Sequence, residues 1–156
     1  MKTLILGGSF DPIHNGHLQM ASLVKEKLKV DKVIFLIARA PRWKNLVTSD
    51  DDRLNMLKIA LSKYESFEIS YLEINSTDEI NYTYNTILKY PKRADEELYF
   101  LIGGDQLEKL EVDTISFTQH LMVTNYATQQ VIAQWVHSNS VEHLFLTVTS
   151  DLMAKL

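Results

Sequence analysis

Short apolar runs separated by amphipathic segments make up the first two thirds of the chain. The runs at residues 3–6, 33–38, 67–74 and 98–102 predict four strands. The second run is continuous and β-branched at its start, which is typical of a strand buried on both faces of a sheet. The pattern therefore predicts a sheet that is covered on both sides.

Helices are predicted between these strands. The first carries apolar residues at helical spacing, at positions 18, 21, 24 and 28. The second begins at Ser49, because the three aspartates that follow favour a helix N-terminus. The third spans residues 83–90 and stops before Pro91. Strand and helix in turn predict an α/β fold with helices on both faces of a parallel sheet and ligands at the carboxyl ends of the strands.

The composition changes after residue 109. Of the 16 Lys and Arg residues, all but one precede residue 110, and none lies between residues 110 and 154. Residues 125–139 have the pattern of an amphipathic helix, and residues 143–149 are a candidate strand. We therefore divide the single expected domain into a core over residues 1–112 and a divergent C-terminal segment over residues 113–156.

Composition and charge exclude several classes of function. The chain of 156 residues has no cysteine, so thiol nucleophiles, thiolate metal sites and disulfides are excluded. The net charge is −4 and no basic stripe is present, so nucleic acid is not an expected partner. No signal-peptide core or run of membrane-spanning length is seen, which predicts a cytoplasmic protein without membrane contact.

The segment G-G-S-F-D-P-I-H-N-G-H-L, residues 7–18, joins the first strand to the first helix. Glycines there let the backbone approach a ligand, and the N–H groups of a helix N-terminus attract an anion. His14 and His17 are three residues apart, so both can face the same anion, and Gly16 leaves the approach open. The cluster predicts a phosphate site. The alternatives are a capping or surface pair of histidines, or half of a metal site with Asp11.

This segment closely resembles the signature of bacterial nicotinate (nicotinamide) mononucleotide adenylyltransferases, within the H-x-G-H nucleotidyltransferase superfamily. The likeness continues in the expected order through R-W-K, R-L-N-M-L, N-Y-T-Y-N-T and L-Y-F-L-I-G-G-D, which begin at residues 42, 53, 81 and 98. The resemblance implies a Rossmann-like fold that transfers the AMP part of ATP, with Mg²⁺, to a pyridine mononucleotide and releases pyrophosphate. The nicotinate form is favoured only by the bacterial character of the motifs, and a homo-oligomer is left open.

The resemblance also implies roles for individual residues. Catalytic roles fall on His14, His17 and Lys44. Contacts with ATP and its phosphates fall on Gly7, Gly8, Ser9, Phe10, Gly16, Ser116 and Thr118. Contacts with the mononucleotide fall on Asp11, Arg53, Tyr82, Thr83, Gly104 and Asp105.

Ordinary structural roles remain open for several of these residues. Asp11 with Pro12 fits a turn, and Asp105 fits a helix cap. Lys44 lies in a predicted loop, where solvated lysines are common. Arg53 lies in an early turn of its helix, where the helix dipole disfavours a cation, and this placement favours a function for it.

The likeness fails in the tail. Residues 115–118 keep the I-S-x-T that opens a late helix in the family, but they follow Asp105 too soon, and Leu121 stands where the family has an arginine. On this alignment a late strand and its helix are missing. An impaired nucleotide-binding remnant is therefore an alternative, and so is another H-x-G-H transferase such as phosphopantetheine adenylyltransferase.

Overall fold

The computed structural model describes residues 1–39, 48–77, 86, 89–91, 93–103, 120–124 and 145–148. Within these residues strands and helices alternate over the first three strands, and three further strands follow. They are β1 (Lys2–Gly8), α1 (Asn15–Leu28), β2 (Lys32–Ile37), α2 (Asp50–Leu61), β3 (Phe67–Ser70), β4 (Glu97–Gly103), β5 (His120–Thr124) and β6 (Phe145–Val148).

The six strands form one parallel sheet in the order β3-β2-β1-β4-β5-β6. The chain builds outward from β1 through β2 to β3, and then returns to place β4 on the other side of β1. This reversal puts the topological switch point between β1 and β4, where ligands bind in open α/β sheets. The predicted Rossmann-like parallel sheet is confirmed.

The starts of both long helices follow from their sequences. The backbone of His14 is extended at the N-cap of α1, two residues later than the start near Ile13 that the spacing suggests. At α2 the Ser49 hydroxyl accepts a hydrogen bond from the Asp52 N–H at 3.1 Å, and aspartates fill the first turn. The predicted start of α2 at Ser49 is therefore confirmed.

Both faces of the central strands are buried. On one face, alternate residues of β1 and β2 pack with residues of both helices, since right-handed crossovers bring α1 and α2 to the same side. On the other face, Ile5, Ile34 and Leu36 line a small cavity with Thr86 and Tyr90. Residues 33–37 of β2 are at most 5% exposed, which confirms the predicted burial. The core on the helix side includes Leu4, Leu6, Leu18, Val33, Phe35, Ile37, Leu57 and Leu61.

The third strand is shorter than residues 67–74, the span that the apolar pattern predicts. Its last pair joins Ser70 to Leu36, one residue before the end of β2. The chain then turns, with the Leu72 N–H 3.4 Å from the Ser70 hydroxyl and the Asn75 N–H 2.9 Å from the Tyr71 carbonyl. Hydrogen bonds inside the turn replace pairing with a neighbouring strand. Of the predicted helix at residues 83–90, Thr86 and Lys89 are helical, and most of the rest lies outside the described residues.

The tail corrects the sequence alignment. Leu121 lies in β5, where it pairs with Phe100 of β4 and with Phe145 of β6. Placing it at the arginine position of a late helix was therefore wrong, and the inference of a missing strand fails with that alignment. The apolar centre of β5 suits a strand with a parallel partner on each side. The predicted strand at residues 143–149 is confirmed as β6, whereas residues 112–118 and 125–139 lie outside the described part.

Candidate active site

The candidate site lies at the carboxyl end of β1, beside the switch point. Gly8 ends the strand, and its carbonyl accepts a hydrogen bond from the Ala38 N–H at 2.9 Å, which extends the pairing just beyond β2. A Cβ atom on Gly8 would stand 3.2 Å from the ring of Phe10, closer than an ordinary van der Waals contact. Glycine at this position therefore lets the chain fold back tightly after the strand.

Phe10 directs its side chain away from the expected phosphate site. Its φ of 48° is in the left-handed region, which is unusual for a large side chain, and only 2% of the residue is exposed. The ring packs against Phe35 at 5.5 Å and meets the ring of His17 edge-on at 5.2 Å, measured between centroids. Since the ring is buried, only the backbone of Phe10 is available for an ATP contact. Asp11 and Pro12, joined by a cis peptide bond, lie exposed above it.

The two histidines lie together at the start of α1. Their rings stack with centroids 3.7 Å apart and planes 26° apart. The backbone N–H of His14 donates to Nδ1 of His17 at 3.2 Å. His14 is exposed and His17 is partly buried, so the pair forms a small imidazole surface at a helix N-terminus. The i, i+3 spacing predicted that both side chains face the same side of the helix start, but it did not predict that their rings stack.

The same hydrogen bond fixes the tautomer of His17. Because Nδ1 accepts from a backbone N–H, the ring proton is on Nε2, which is then a hydrogen-bond donor. Burial, and secondly the charge of His14, lower the pKa of His17 from 6.5 to about 4. At neutral pH His17 is therefore an uncharged donor with a defined direction.

Gly16 has a steric role in this arrangement. A Cβ atom added there would lie 2.9 Å from both Cε1 and Nδ1 of the His14 ring. Any side chain at this position would force the ring of His14 out of its stack on His17. The glycine between the histidines therefore allows the stack as well as an open approach to the helix end.

Arg53 lies behind the loop rather than on its surface. Its side chain has no exposed area, and Nη1 donates to the carbonyls of Ser9 and Ala38, each at 2.7 Å. Nη2 pairs with the carboxylate of Asp50, which precedes Arg53 by one turn of α2. The contacts of Arg53 are thus with protein groups, and its direct contact with a mononucleotide stays a prediction.

Sequence reasoning missed Glu73, which is buried at the same edge of the sheet. Glu73 is 8% exposed, and its carboxylate accepts from the Thr86 hydroxyl at 3.0 Å. Burial raises the pKa of Glu73, although hydrogen bonds from Thr86 and from the Arg39 backbone oppose that shift. A glutamate in a polar turn normally faces solvent, so no sequence signal marks its burial.

The remaining predicted site residues cannot be placed beside this cluster. They lie outside the described residues and are Lys44, Tyr82, Thr83, Gly104, Asp105, Ser116 and Thr118. The site that the structure describes therefore consists of the β1–α1 loop with its two histidines and the polar groups beneath it. Within the described ranges, no helix has the length and hydropathy needed to cross a membrane.

Comparison with known families supports the family resemblance that residues 7–18 suggest. A family model described as cytidylyltransferase-like matches residues 5–150. The match includes the β1–α1 loop, both histidines and all but the first part of β1 in the sheet. The chain therefore belongs to the cytidylyltransferase-like family.

Curated relatives lie within the more specific group that the motifs resemble. A protein of Dehalococcoides mccartyi named a probable nicotinate-nucleotide adenylyltransferase is 43% identical over 114 residues, covering 70% of this chain and 55% of that protein. A protein of Listeria monocytogenes with the same name is 39% identical over 112 residues, covering 70% and 59%. The resemblance stated from the motifs is confirmed. The chain spans between half and two thirds of the length of these relatives.

Solved structures agree on the fold. The nicotinic acid mononucleotide adenylyltransferase of Plasmodium falciparum, complexed with NaAD, superposes with a TM-score of 0.71 at 18% identity, over 96% of this chain and 76% of that one. A complex of the Plasmodium falciparum enzyme with APC gives a TM-score of 0.67 at 16% identity, over 96% and 75%. At these identities the likeness concerns the fold alone.

Proposed function

We propose that this chain transfers the adenylyl group of ATP to nicotinate mononucleotide, giving the deamido dinucleotide and pyrophosphate. The observation that carries the proposal is His17, an uncharged imidazole at a helix N-terminus whose Nε2–H is a fixed donor at the switch point of the sheet. The names of the curated relatives at about 40% identity support the same reaction.

The chemistry explains why the site needs donors rather than a nucleophile. An oxygen of the mononucleotide phosphate attacks the α-phosphorus of ATP, while the bond from that phosphorus to the bridging oxygen breaks and pyrophosphate leaves. The attacking phosphate is already an anion, so no side chain has to remove a proton. Catalysis then consists of holding two anions in line and stabilising the charge that builds on the α-phosphate.

We assign that stabilisation to the start of α1. His17 donates through Nε2, and His14 adds a second imidazole stacked 3.7 Å away. Protonation of His17 at Nδ1 would break its hydrogen bond with the His14 backbone, so His17 stays uncharged as it works. Gly7, Gly8, Ser9, Phe10 and Gly16 contribute backbone and open space in this proposal.

Magnesium enters this proposal with ATP. Mg²⁺ prefers oxygen ligands and is commonly held through substrate phosphates with few protein groups, so the histidine pair is a poor magnesium site. The exposed carboxylate of Asp11 is an oxygen ligand of the right kind on the loop. The ion would neutralise charge on the phosphates of ATP.

The mononucleotide is assigned to the other side of the switch point. We propose that Tyr82, Thr83, Gly104 and Asp105 border the nucleotide and that Lys44 with Ser116 and Thr118 contacts phosphates, on the strength of the motif resemblance. The test is substitution: Thr83→Ala or Asp105→Ala should raise KM for the mononucleotide more than KM for ATP. Equal increases in both constants would contradict this placement.

The reaction itself is tested with one panel of acceptors. The protein is incubated with ATP and Mg²⁺ together with nicotinate mononucleotide, nicotinamide mononucleotide or phosphopantetheine, and pyrophosphate and the dinucleotide product are measured. ATP binding is measured in parallel by calorimetry. We expect turnover with nicotinate mononucleotide; ATP binding without turnover of any acceptor would identify a nucleotide-binding remnant instead.

A further inference from the structure

The structure assigns to Arg53 the role of a positioning residue that holds residues 9–17, the β1–α1 loop and the first turn of α1, in their working arrangement. This inference rests on the proposed function for its catalytic consequence. Arg53 was expected to contact substrate. Its contacts show how it could instead act through the loop that carries His14 and His17.

A network of hydrogen bonds at Arg53 joins the β1–α1 loop, the residue after β2 and the start of α2. Nη1 donates to the Ser9 carbonyl on the β1–α1 loop and to the Ala38 carbonyl just beyond β2, each at 2.7 Å. The Ala38 N–H donates to the Gly8 carbonyl at 2.9 Å. Nη2 ties the same guanidinium to Asp50 at the start of α2. Two strand ends and one helix are thus fixed to a single planar group.

Packing alone does not explain a guanidinium at this position. The side chain is fully buried, and within the described part of the chain its Nε atom has no hydrogen-bond partner. Burying a charged group with an unsatisfied donor costs free energy, and buried ion pairs replaced by apolar residues often leave proteins as stable as before. What an apolar residue could not supply is the fork of two donors that holds the Ser9 and Ala38 carbonyls in place.

The contact at Ser9 leads directly to the catalytic imidazole. Ser9 precedes Phe10, whose left-handed backbone turns its ring onto Phe35 and against the edge of His17. A displaced Ser9 carbonyl would therefore change the position of Phe10 and, through the ring contact, that of His17. Misplacing a catalytic group by about 1 Å can cost about a hundredfold in rate.

The experiment compares Arg53→Met with Arg53→Lys and with the control Leu57→Val. Met fills much of the volume without donors, and Lys keeps the charge but not the planar fork. Leu57 is fully buried in α2 one turn further on and packs in the core, so Leu57→Val weakens the packing of the same helix but leaves the hydrogen-bonding groups of Arg53 in place. Folding of each variant is checked by circular dichroism and urea unfolding.

We expect Arg53→Met to lower kcat about tenfold to a hundredfold with little change in either KM, and Arg53→Lys to recover part of the loss. Leu57→Val should retain the kcat of the parent. The second readout is the nitrogen NMR spectrum of His17, which reports its tautomer and pKa without any turnover. We expect Arg53→Met to change that spectrum and Leu57→Val to leave it unchanged.

The two readouts separate the inference from the proposed function. A parent protein without turnover defeats the proposed function, and the His17 spectrum then still decides whether Arg53 positions the loop. An unchanged His17 spectrum in both Arg53 variants would overturn the inference. A rise confined to KM for the mononucleotide would also overturn it, because that is the signature of direct substrate binding by Arg53.

Discussion

Arg53 and Glu96 are buried charged side chains at opposite edges of the sheet, and their charges are held in different ways. At the carboxyl edge Arg53 is fully buried and donates mainly to backbone carbonyls of two loops. At the amino edge Glu96 is 3% exposed, and Oε1 accepts from the Thr3 and Tyr90 hydroxyls at 2.6 and 2.7 Å. Its Oε2 accepts from the Arg93 backbone N–H at 3.1 Å.

The difference shows that the buried charges at the two edges make different kinds of contact. The hydrogen bonds of Glu96 join the beginnings of β1 and β4 to the chain that leads into β4, and both carboxylate oxygens are satisfied. Arg53 donates to backbone carbonyls beneath the candidate site, and among the residues that the structure describes its Nε has no hydrogen-bond partner. In this sheet the contacts of Glu96 join strand beginnings, whereas those of Arg53 lie beneath the candidate site.

The largest effect that we expect is on turnover at the carboxyl edge. His17→Ala removes the directed Nε2–H donor from the helix start, and loss of one such donor costs about a hundredfold to a thousandfold in kcat. The affinity for ATP, measured by calorimetry, should change far less, because the donor acts mainly on charge that develops during the reaction. A variant with turnover close to that of the parent would remove His17 from the mechanism.

The next effect is on stability at the amino edge. Glu96→Ala breaks three hydrogen bonds to a carboxylate and should lower the free energy of unfolding by on the order of 2–4 kcal/mol, as measured in urea. Turnover per folded molecule should be unchanged, since this edge is remote from the loop. Glu65→Ala, at an exposed position, is the control. A selective loss of kcat in the Glu96 variant would contradict the claim that Glu96 contributes to stability and not to turnover.

A smaller effect is expected at Gly16. In Gly16→Ala the new methyl group must displace the His14 ring from its stack on His17, because a Cβ would stand 2.9 Å from it. We expect kcat to fall about tenfold while stability is nearly unchanged, since alanine favours the helix. Gly16→Ser tests the same contact with a similar volume. Full activity in both variants would show that the stack does not matter.

The smallest effect is a difference in acid sensitivity between the edges. The pKa of His17 falls from 6.5 to about 4 on folding, so the unfolded state takes up a proton in that window and stability declines as the pH falls through it. Burial opposes ionisation of Glu96, but hydrogen bonds from Thr3, Tyr90 and Arg93 and the charge of Lys32 outweigh it and lower its pKa. Its contribution is present above its unfolded pKa and is lost as the pH falls through the lower folded value.

Unfolding curves across pH measure both contributions. His17→Asn should flatten the decline between pH 6.5 and about 4, and Glu96→Gln should flatten only the decline at lower pH. The same slope for both variants in the upper window would contradict the assignment of that window to His17.

The sequence predicted those structural features that depend on interactions between residues close together in the chain. Apolar periodicity located the central strands, Ser49 and its aspartates located the start of α2, and the spacing of His14 and His17 placed both on the same side of a helix start. These features depend on residues a few positions apart, and the structure confirms them.

Residues whose roles depend on distant partners could not be predicted in this way. The partners of Arg53 include Ser9 and Ala38, and the buried Glu73 accepts hydrogen bonds from Thr86 and from the Arg39 backbone. The alignment error at Leu121 has the same origin. A four-residue motif at residues 115–118 suggested that Leu121 lies in a helix, but pairing with β4 and β6 places Leu121 in a strand.

The strand order also has a consequence for the time course of folding. β1 pairs on one side with β2, where Thr3 meets Lys32, and on the other with β4, where Lys2 meets Glu97. The first pairing closes a short stretch of chain and the second a much longer one, which costs more loop-closure entropy and is expected later. During synthesis, the β1–α1–β2 unit with its histidine loop can therefore assemble well before β4 is made. The sheet beside that loop is completed only when β4 docks, so a nascent chain can have the histidine loop before the switch point exists.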